Sequence, residues 1–163
     1  VLKGDNSKME FTGVTFAGAG QNLDTGAKVV HIGKNTSSYM NTRSISKSGG
    51  VCIYRGSVVI NPPADGAKAN VSCESLMLDE ESQSDTIPAI VVKNDNIDLG
   101  HEASIGRISD DAIFYFMSRG LSEDEARAML VRGFVEPVSK ALPLEYAVEM
   151  NNLINLELKG SLK

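Results

Sequence analysis

Ala69-Asn70-Val71-Ser72-Cys73-Glu74-Ser75-Leu76-Met77-Leu78 is the stretch that decides the fold, because apolar and polar side chains alternate along it. A period of two is typical of a β-strand, in which successive side chains point to opposite faces. The pattern places Val71, Cys73 and Ser75 on one face of the strand. Ser72, Glu74 and Leu76 lie on the other face. Cys73 is therefore either a small core residue or a thiol held in place for chemistry.

Similar short runs fill the chain from Met9 to about Ile108, with little helical periodicity. Gly, Asn, Asp and Ser separate them and favour turns. The runs cover residues 11–16, 27–32, 38–45, 51–55, 57–60, 71–78 and 89–93. A β-sandwich would favour two-residue hairpin signals, of which Asp65-Gly66 is the only one, whereas single small residues such as Gly56 separate several runs. The pattern favours a β-helix, a solenoid of parallel strands, although no repeat of fixed period is visible.

The period changes from two to 3.6 at Gly106-Arg107-Ile108-Ser109, which predicts a β part over residues 1–108 and a helical part over residues 109–163. Ser109 is a good cap for a first helix, which Gly120 ends. Ser122 and Glu125 form a capping box for a second helix.

The second helix is expected to end or kink near Pro137, since proline lacks the backbone donor. A third helix is expected from Pro143 to about Lys159, with Gly160 just past its end. The expected apolar faces are Ile113, Phe114, Phe116 and Met117 in the first helix, Ala126, Met129, Leu130, Gly133 and Phe134 in the second, and Ala147, Met150, Ile154 and Leu158 in the third.

Composition excludes several classes of function. The net charge of −5 and the pI near 5.0 argue against nucleic acid as a partner, because phosphate binding needs a basic surface. No apolar run is long enough for a membrane helix. Two cysteines are too few for a disulfide framework, so a reducing cytoplasm is the expected location. The chain begins at Val1 without an initiator Met, and we expect it to be a piece of a longer protein.

Few residues stand out as chemical groups. Besides Cys73, the pair His101-Glu102 supplies side-chain types that ligate iron or zinc, although the spacing forms no known metal motif. His31 and Cys52 are expected to be packed core residues. A β-helix enzyme that acts on polysaccharides is a remaining alternative, but no residue pattern supports it. We expect the chain not to be an enzyme.

Several runs together resemble one family. They are Ser46-Lys47-Ser48-Gly49-Gly50, Tyr54-Arg55-Gly56, Cys73-Glu74-Ser75-Leu76, Gly100-His101-Glu102-Ala103-Ser104-Ile105-Gly106-Arg107-Ile108, residues 114–123, residues 133–137 and Leu142-Pro143-Leu144-Glu145-Tyr146. Over nearly its whole length the chain resembles the C-terminal part of the SufB/SufD family of iron–sulfur cluster assembly proteins.

The resemblance implies a right-handed β-helix followed by a small helical domain. It implies a scaffold subunit on which an iron–sulfur cluster is transiently assembled, with Cys73, Glu102 and His101 as cluster ligands. Cys73 favours the SufB branch of the family. Gly100 departs from the acidic residue that some members have before the matching His.

The resemblance also implies partners. A SufC-type ABC ATPase is expected to dock on the helical domain, and a SufD paralogue or a second SufB copy is expected to pair with the β-helix. The expected ATPase contacts are Met117, Arg119, Leu121, Glu123, Arg127, Met129 and Phe134, although a solenoid also needs such residues as a cap. The alternative is a structural SufD-like subunit that organises the ATPase without holding the cluster itself.

Overall fold

Parallel strands stacked in two sheets form the first two-thirds of the molecule, a computed structural model that describes residues 1–158. The first sheet has the order β1 (Lys8–Ala17), β3 (Ser37–Ser46), β5 (Ala67–Met77) and β8 (Ile97–Arg107). The second sheet has β2 (Asn22–His31) beside β4 (Val51–Ile60), and β4 also pairs with β6 (Gln83–Thr86) and β7 (Ala89–Val92). Strands alternate between the sheets along the chain, so the predicted β-solenoid is confirmed.

Each coil of the solenoid has a slightly different length. Lys8 is the register partner of Ser37, and Ser37 is in turn the partner of Lys68. In the next coil Ala67 is the partner of Ile97, and the separation along the chain differs again. Because no two of these successive separations are equal, the sequence has no repeat of fixed period even though the backbone repeats.

Three strands differ from the expected runs, and one of them, the short strand β6, was not predicted. The runs 51–55 and 57–60 are one continuous strand, β4, and Gly56 lies within it rather than at a corner. The strand β8 was not predicted either, because two glycines and mostly exposed side chains hide its alternation. The pair His101-Glu102 therefore lies in a strand and not in a terminal loop.

The corners of the coils rely on glycine where backbones approach closely. A Cβ on Gly50 would overlap the carbonyl oxygen of Ala17 in the preceding coil. Gly49 beside it has a φ of 76°, a left-handed conformation that glycine adopts without steric cost.

Three helices follow: α1 (Asp110–Met117), α2 (Glu123–Ala141) and α3 (Leu144–Leu158). The Ser109 hydroxyl accepts a hydrogen bond from the Ala112 amide, and the capping box of Ser122 and Glu125 is present. The helix α2 continues past Pro137 for a further turn, so it does not end at the proline. The predicted positions Lys159 and Gly160 lie outside the described residues.

The buried faces of α1 and α2 agree only in part with the predicted ones. In α1, Ile113 is buried and Phe116 is half-buried as predicted, whereas Phe114 and Met117 are exposed. The buried residues of α2 are Ala126, Val131, Val135 and Val138. Met129 and Gly133 of the predicted face are exposed. The four positions expected for α3 are correct, since Ile154 is buried and the other three are half-buried.

The helices pack on the outer face of the first sheet. Phe16, Ile45 and Leu76 are register partners on β1, β3 and β5, and they form an apolar ladder on that face. Ile45 is fully buried against Val131 and Ile154 of the helices. None of the helices within residues 1–158 combines the length and apolar character needed to cross a bilayer.

His31 is a fully buried histidine at the end of β2. Its Nδ1 lies 2.8 Å from the Thr36 hydroxyl, and its Nε2 lies 2.9 Å from the Ser38 hydroxyl. The Thr36 hydroxyl donates its proton to the Gly33 carbonyl, so it accepts from Nδ1–H, and Nε2 accepts from Ser38. The ring is thus neutral with both nitrogens satisfied, and burial lowers its pKa.

This environment predicts a pH-dependent stability. A histidine whose pKa is lower in the fold binds fewer protons than the unfolded chain, so the free energy of unfolding falls as the pH drops below the unfolded pKa of about 6.5. Urea unfolding between pH 8 and pH 5 should show this loss. His31→Asn should weaken the pH dependence, whereas His101→Asn, at the exposed histidine, should retain it. Equal slopes in the two variants would contradict this assignment.

Candidate functional site

Cys73 lies in the middle of β5, with Thr42 of β3 on one side and Ala103 of β8 on the other. As predicted from alternation, Cys73 shares the inner face with Val71 and Ser75, and it is only 4% exposed. Its register partner on β8 is Ala103, and alanine has the smallest side chain with a Cβ. Cys73 is thus buried, and β8, the last strand of the first sheet, pairs directly with its strand.

His101 and Glu102 lie on β8, where they are partners of Val71 and Ser72. Both are exposed. His101 therefore belongs to the same face of the sheet as Cys73, whereas Glu102 belongs to the opposite, outer face. The three predicted residues thus lie on adjacent strands, but their side chains are not all on the same face of the sheet. Among residues 1–158 no group of three His, Cys, Asp or Glu side chains is arranged to hold a metal ion.

The last coil ends in an open edge. β8 is the final strand of the first sheet, and β6 and β7 end the second. Exposed apolar side chains are concentrated there, namely Ile87, Ile90, Val91, Val92 and Ile105. A strand edge with exposed apolar side chains is a template for pairing with another chain.

The interior next to Cys73 combines apolar and polar side chains, since Cys73 and Tyr54 pack in one apolar cluster with Val71. The Ser44 hydroxyl lies 2.7 Å from that of Ser75 and 3.1 Å from that of Ser84, so these three groups satisfy one another across the two sheets. Cys52, also buried, donates its thiol proton to the Ile45 carbonyl at 3.4 Å. Burial raises the pKa of Cys52, which agrees with its expected role as a packed residue.

Tyr54 points into the same part of the interior from β4. Burial, and then the nearby Cys73, raise the pKa of Tyr54 to about 12. The phenol therefore keeps its proton at neutral pH, although within residues 1–158 its hydroxyl makes no hydrogen bond.

Arg43 connects the strand of the cysteine to the helices. Its guanidinium donates to the Glu74 carboxylate at 2.8 Å and to the carbonyl of Phe134, and it lies 5.2 Å from the centre of the Phe134 ring. Glu74 is the residue directly after Cys73. The predicted docking residue Phe134 is thus part of the contact between the sheet and the helices.

The other predicted docking residues fall into two groups. Arg127 donates to the Leu78 carbonyl at 3.1 Å and so takes part in the attachment of α2, whereas Glu123 pairs with Arg127 within the helix. Met117 and Met129 are exposed, Leu121 is half-buried, and exposed Arg119 lies 5.0 Å from the centre of the Tyr115 ring. Phe114, 72% exposed, lies with Tyr115, Met117 and Arg119 on what we call the α1 surface, whereas Met129 lies on α2.

Comparison with known proteins gives one consistent result. A family model described as the SufBD core domain of SUF-system iron–sulfur cluster assembly matches residues 1–134. An iron–sulfur cluster assembly SufBD family protein of Staphylococcus haemolyticus is 52% identical over 162 residues, and the SufB of Bacillus subtilis is 49% identical over 162. A SufBD family protein of Mycobacterium leprae is 48% identical over 160 residues.

The matches cover 98–99% of this chain but 35% of the first two relatives and 18% of the third. The chain thus spans about a third, or less, of the length of these relatives.

The contacts of Arg43 predict a specific loss of stability. Arg43→Lys keeps the charge but cannot reach Glu74 and the Phe134 carbonyl together, since lysine lacks the planar fork of donors. We expect the free energy of unfolding to fall by about 1–3 kcal/mol and proteolytic cleavage to increase within α2. Arg55→Lys is the matched control, because the Arg55–Asp24 pair on β4 and β2 is exposed. Equal protease resistance of the Arg43→Lys and Arg55→Lys proteins would show that Arg43 does not hold the helices.

Proposed function

Since the chain belongs to the SufBD family of SUF-system iron–sulfur cluster assembly proteins, we propose that it is part of a SufB-type scaffold subunit, which holds a nascent cluster as transient cargo and does not act as an enzyme. The observation that carries this proposal is the position of Cys73, a thiol fixed by the ladder of β5 one strand from an open edge. Cysteine thiolate is the usual protein ligand of iron–sulfur clusters.

The donor set of the last coil suits a cluster that is later released. Cys73 supplies one soft thiolate, and Glu102 and His101 on β8 supply a harder carboxylate and an imidazole. A permanent cluster would usually have four cysteines. Because Glu102 faces away from Cys73, one chain offers an incomplete ligand set, and we propose that a second chain paired at the open edge supplies the remaining ligands. That chain would be a SufD paralogue or a second SufB copy.

The helices support a second part of the proposal. The α1 surface carries exposed apolar and aromatic side chains with Arg119 among them, a composition that is enriched in protein interfaces. We propose that a SufC-type ABC ATPase docks there, in the cytoplasm, with no role for nucleic acid or membrane. The attachment of α2 through Arg43 and Arg127 then connects the docked ATPase mechanically to the strands of the cluster site.

One observation favours the alternative of a structural SufD-like subunit. Cys73 is buried, and within residues 1–158 no His, Cys, Asp or Glu pair joins it in a ligand set. In that case the chain would organise the ATPase while the partner holds the cluster.

The role of Cys73 can be tested by composition. The protein with its complete natural chain, co-expressed with its ATPase and purified without oxygen, should lose most bound iron and acid-labile sulfide in the Cys73→Ser variant. Cys52→Ala is the matched control, since Cys52 is a buried thiol of the same interior and should leave the metal content unchanged.

Each variant must still bind the ATPase, which shows that the fold is intact. Unchanged iron and sulfide in Cys73→Ser would refute the scaffold role of this residue and support the structural alternative.

Docking on the α1 surface can be tested separately. Met117→Asp places a charge among exposed apolar side chains and should weaken binding of the ATPase about tenfold or more, measured by calorimetry. Val148→Asp makes the same kind of change at an exposed valine of α3, 52% exposed, and should bind normally. If Val148→Asp weakens binding and Met117→Asp does not, the ATPase docks on α3 instead.

A further inference from the structure

The apolar ladder under the helices stops at the open edge of the first sheet. Phe16, Ile45 and Leu76 are register partners on the outer face, and the next position of this row, on β8, is Gly106. A Cβ placed on Gly106 would meet no atom of the described chain within 4 Å. The row of large side chains that the helices cover therefore ends in an empty space at the last strand.

A groove of about 450 Å³ lies at the end of this row, between the sheet and the helices. Leu76 and Ile108 form its wall on the side of the sheet. Leu130 and Phe134 form its wall on α2, and Gly133 lies between them in the sequence and also lines the groove. The groove is thus mainly apolar and opens beside the edge strand.

Neither of the two glycines is required by the fold of residues 1–158. Gly106 and Gly133 do not have a positive φ, and a Cβ on either would meet nothing within 4 Å in this part of the chain. Glycine weakens the interior of a strand and is unfavourable in the interior of a helix. In a strand it often marks a place where a ligand or another chain approaches closely. Two such residues at one groove therefore indicate that the space itself is used.

A strand that pairs with β8 would extend the ladder. Register partners on neighbouring strands lie on the same face of a sheet, with their Cβ atoms about 5 Å apart. The residue opposite Gly106 would therefore lie on the face that the helices cover. A large apolar side chain there would cover the glycine, as aromatic side chains cover glycines on neighbouring strands of designed sheets. It would then pack against Leu76 and Phe134 in the groove.

A second copy of this chain lacks such a side chain. Two β8 strands that pair antiparallel about a two-fold axis perpendicular to the sheet bring their outer faces to the same side. The outer face of β8 carries Asp98, Gly100, Glu102, Ser104 and Gly106. None of these side chains is large and apolar. Charge also opposes this pairing, because residues 79–107 contain seven acidic and two basic residues, and like charges brought together at an interface are unfavourable.

We propose that the groove bounded by Gly106 and Gly133 receives one large apolar side chain from a strand that pairs with β8, and that this strand belongs to a different chain. The inference rests on the proposed function, since that function already places a second chain at the open edge. It adds the residues that select this chain. The space left by the two glycines, rather than the exposed valines of the edge, decides which second chain fits.

Filling the groove tests the proposal. The protein with its complete natural chain is titrated by calorimetry with a SufD paralogue, the candidate second chain that is not a copy of it. Gly133→Leu places a large side chain in the groove and should weaken binding about tenfold or more. The melting temperature should be unchanged or higher, because leucine favours a helix and a Cβ at this position meets no atom of residues 1–158 within 4 Å.

Asn152→Leu is the matched control, since it adds the same side chain at an exposed position of α3 and should bind normally. Gly106→Leu fills the same space from the strand, and it decides the matter if Gly133→Leu melts at a lower temperature. Wild-type affinity in both glycine variants would overturn the proposal. If these variants weaken binding of the ATPase but not of the paralogue, the groove belongs to the ATPase, and the proposal is overturned as well.

Self-association gives a further outcome, measured by sedimentation. A dimer of wild-type copies that Gly133→Leu dissociates would mean that a second copy fills the groove, and this would overturn the choice of a different chain. If the wild type does not bind the paralogue, both this inference and the pairing at the open edge are refuted, whereas the role of Cys73 is still decided by iron content. Conversely, unchanged iron in Cys73→Ser would refute the scaffold role even where the glycine variants lose the partner.

Discussion

The parallel hydrogen-bond ladder of the first sheet is the constraint on which the rest of the structure depends. It fixes Cys73 between Thr42 and Ala103 and thereby sets its distance from the open edge. A shift of one residue in the pairing of β5 would move Cys73 to the outer face and Leu76 into the polar interior. The ladder of Phe16, Ile45 and Leu76 opposes such a shift, because the helices bury those side chains on the outer face. The same strand register therefore fixes both the position of Cys73 and the attachment of the helices.

Side-chain contacts also connect the strand of Cys73 to the helices. Arg43 contacts Glu74, which follows Cys73, and also the backbone of α2 at Phe134. Its guanidinium is largely shielded, with an exposed fraction of 11%, so its contacts are worth more than those of a surface ion pair such as Arg55–Asp24. A partner that displaced α2 would act on the strand of the cysteine through this side chain. The coupling follows from contact geometry alone.

The interior of the solenoid contains an apolar core and a small group of polar side chains, and Cys73 lies where the two meet. Met40, Val58 and Ile60 belong to an apolar core that also contains Tyr54 and Cys73. Next to Cys73, hydroxyl groups and the two thiols line a cavity of about 10 Å³. Within residues 1–158 the hydroxyls of Tyr54 and Thr86 at this cavity make no hydrogen bond, and apolar groups of similar size would be more stable there.

The sequence by itself determined the repeating strands, the inner face of β5, the caps of α1 and α2, and the family. These features rest on local rules: alternation of side chains, capping hydroxyls and specific runs such as residues 114–123. The sequence did not reveal β8, because Gly100, Gly106 and exposed side chains leave no alternation to read. The predicted face of α2 was only partly correct: Ala126 is buried, but so are three valines outside the predicted stripe, Val131, Val135 and Val138, which packing on the first sheet selects.

Tertiary structure alone decided how the site is arranged. Cys73 and His101 are distant in sequence. The number of residues between register partners differs from one strand pair of the first sheet to the next, so spacing along the chain does not show which residues become neighbours. No local pattern could show that Glu102 faces away from Cys73, or that Tyr54 of the opposite sheet shares its cavity. Residue types and their spacing can be read from the chain. The face of the sheet on which a side chain lies, and its neighbour on the opposite sheet, depend on how many residues each coil contains.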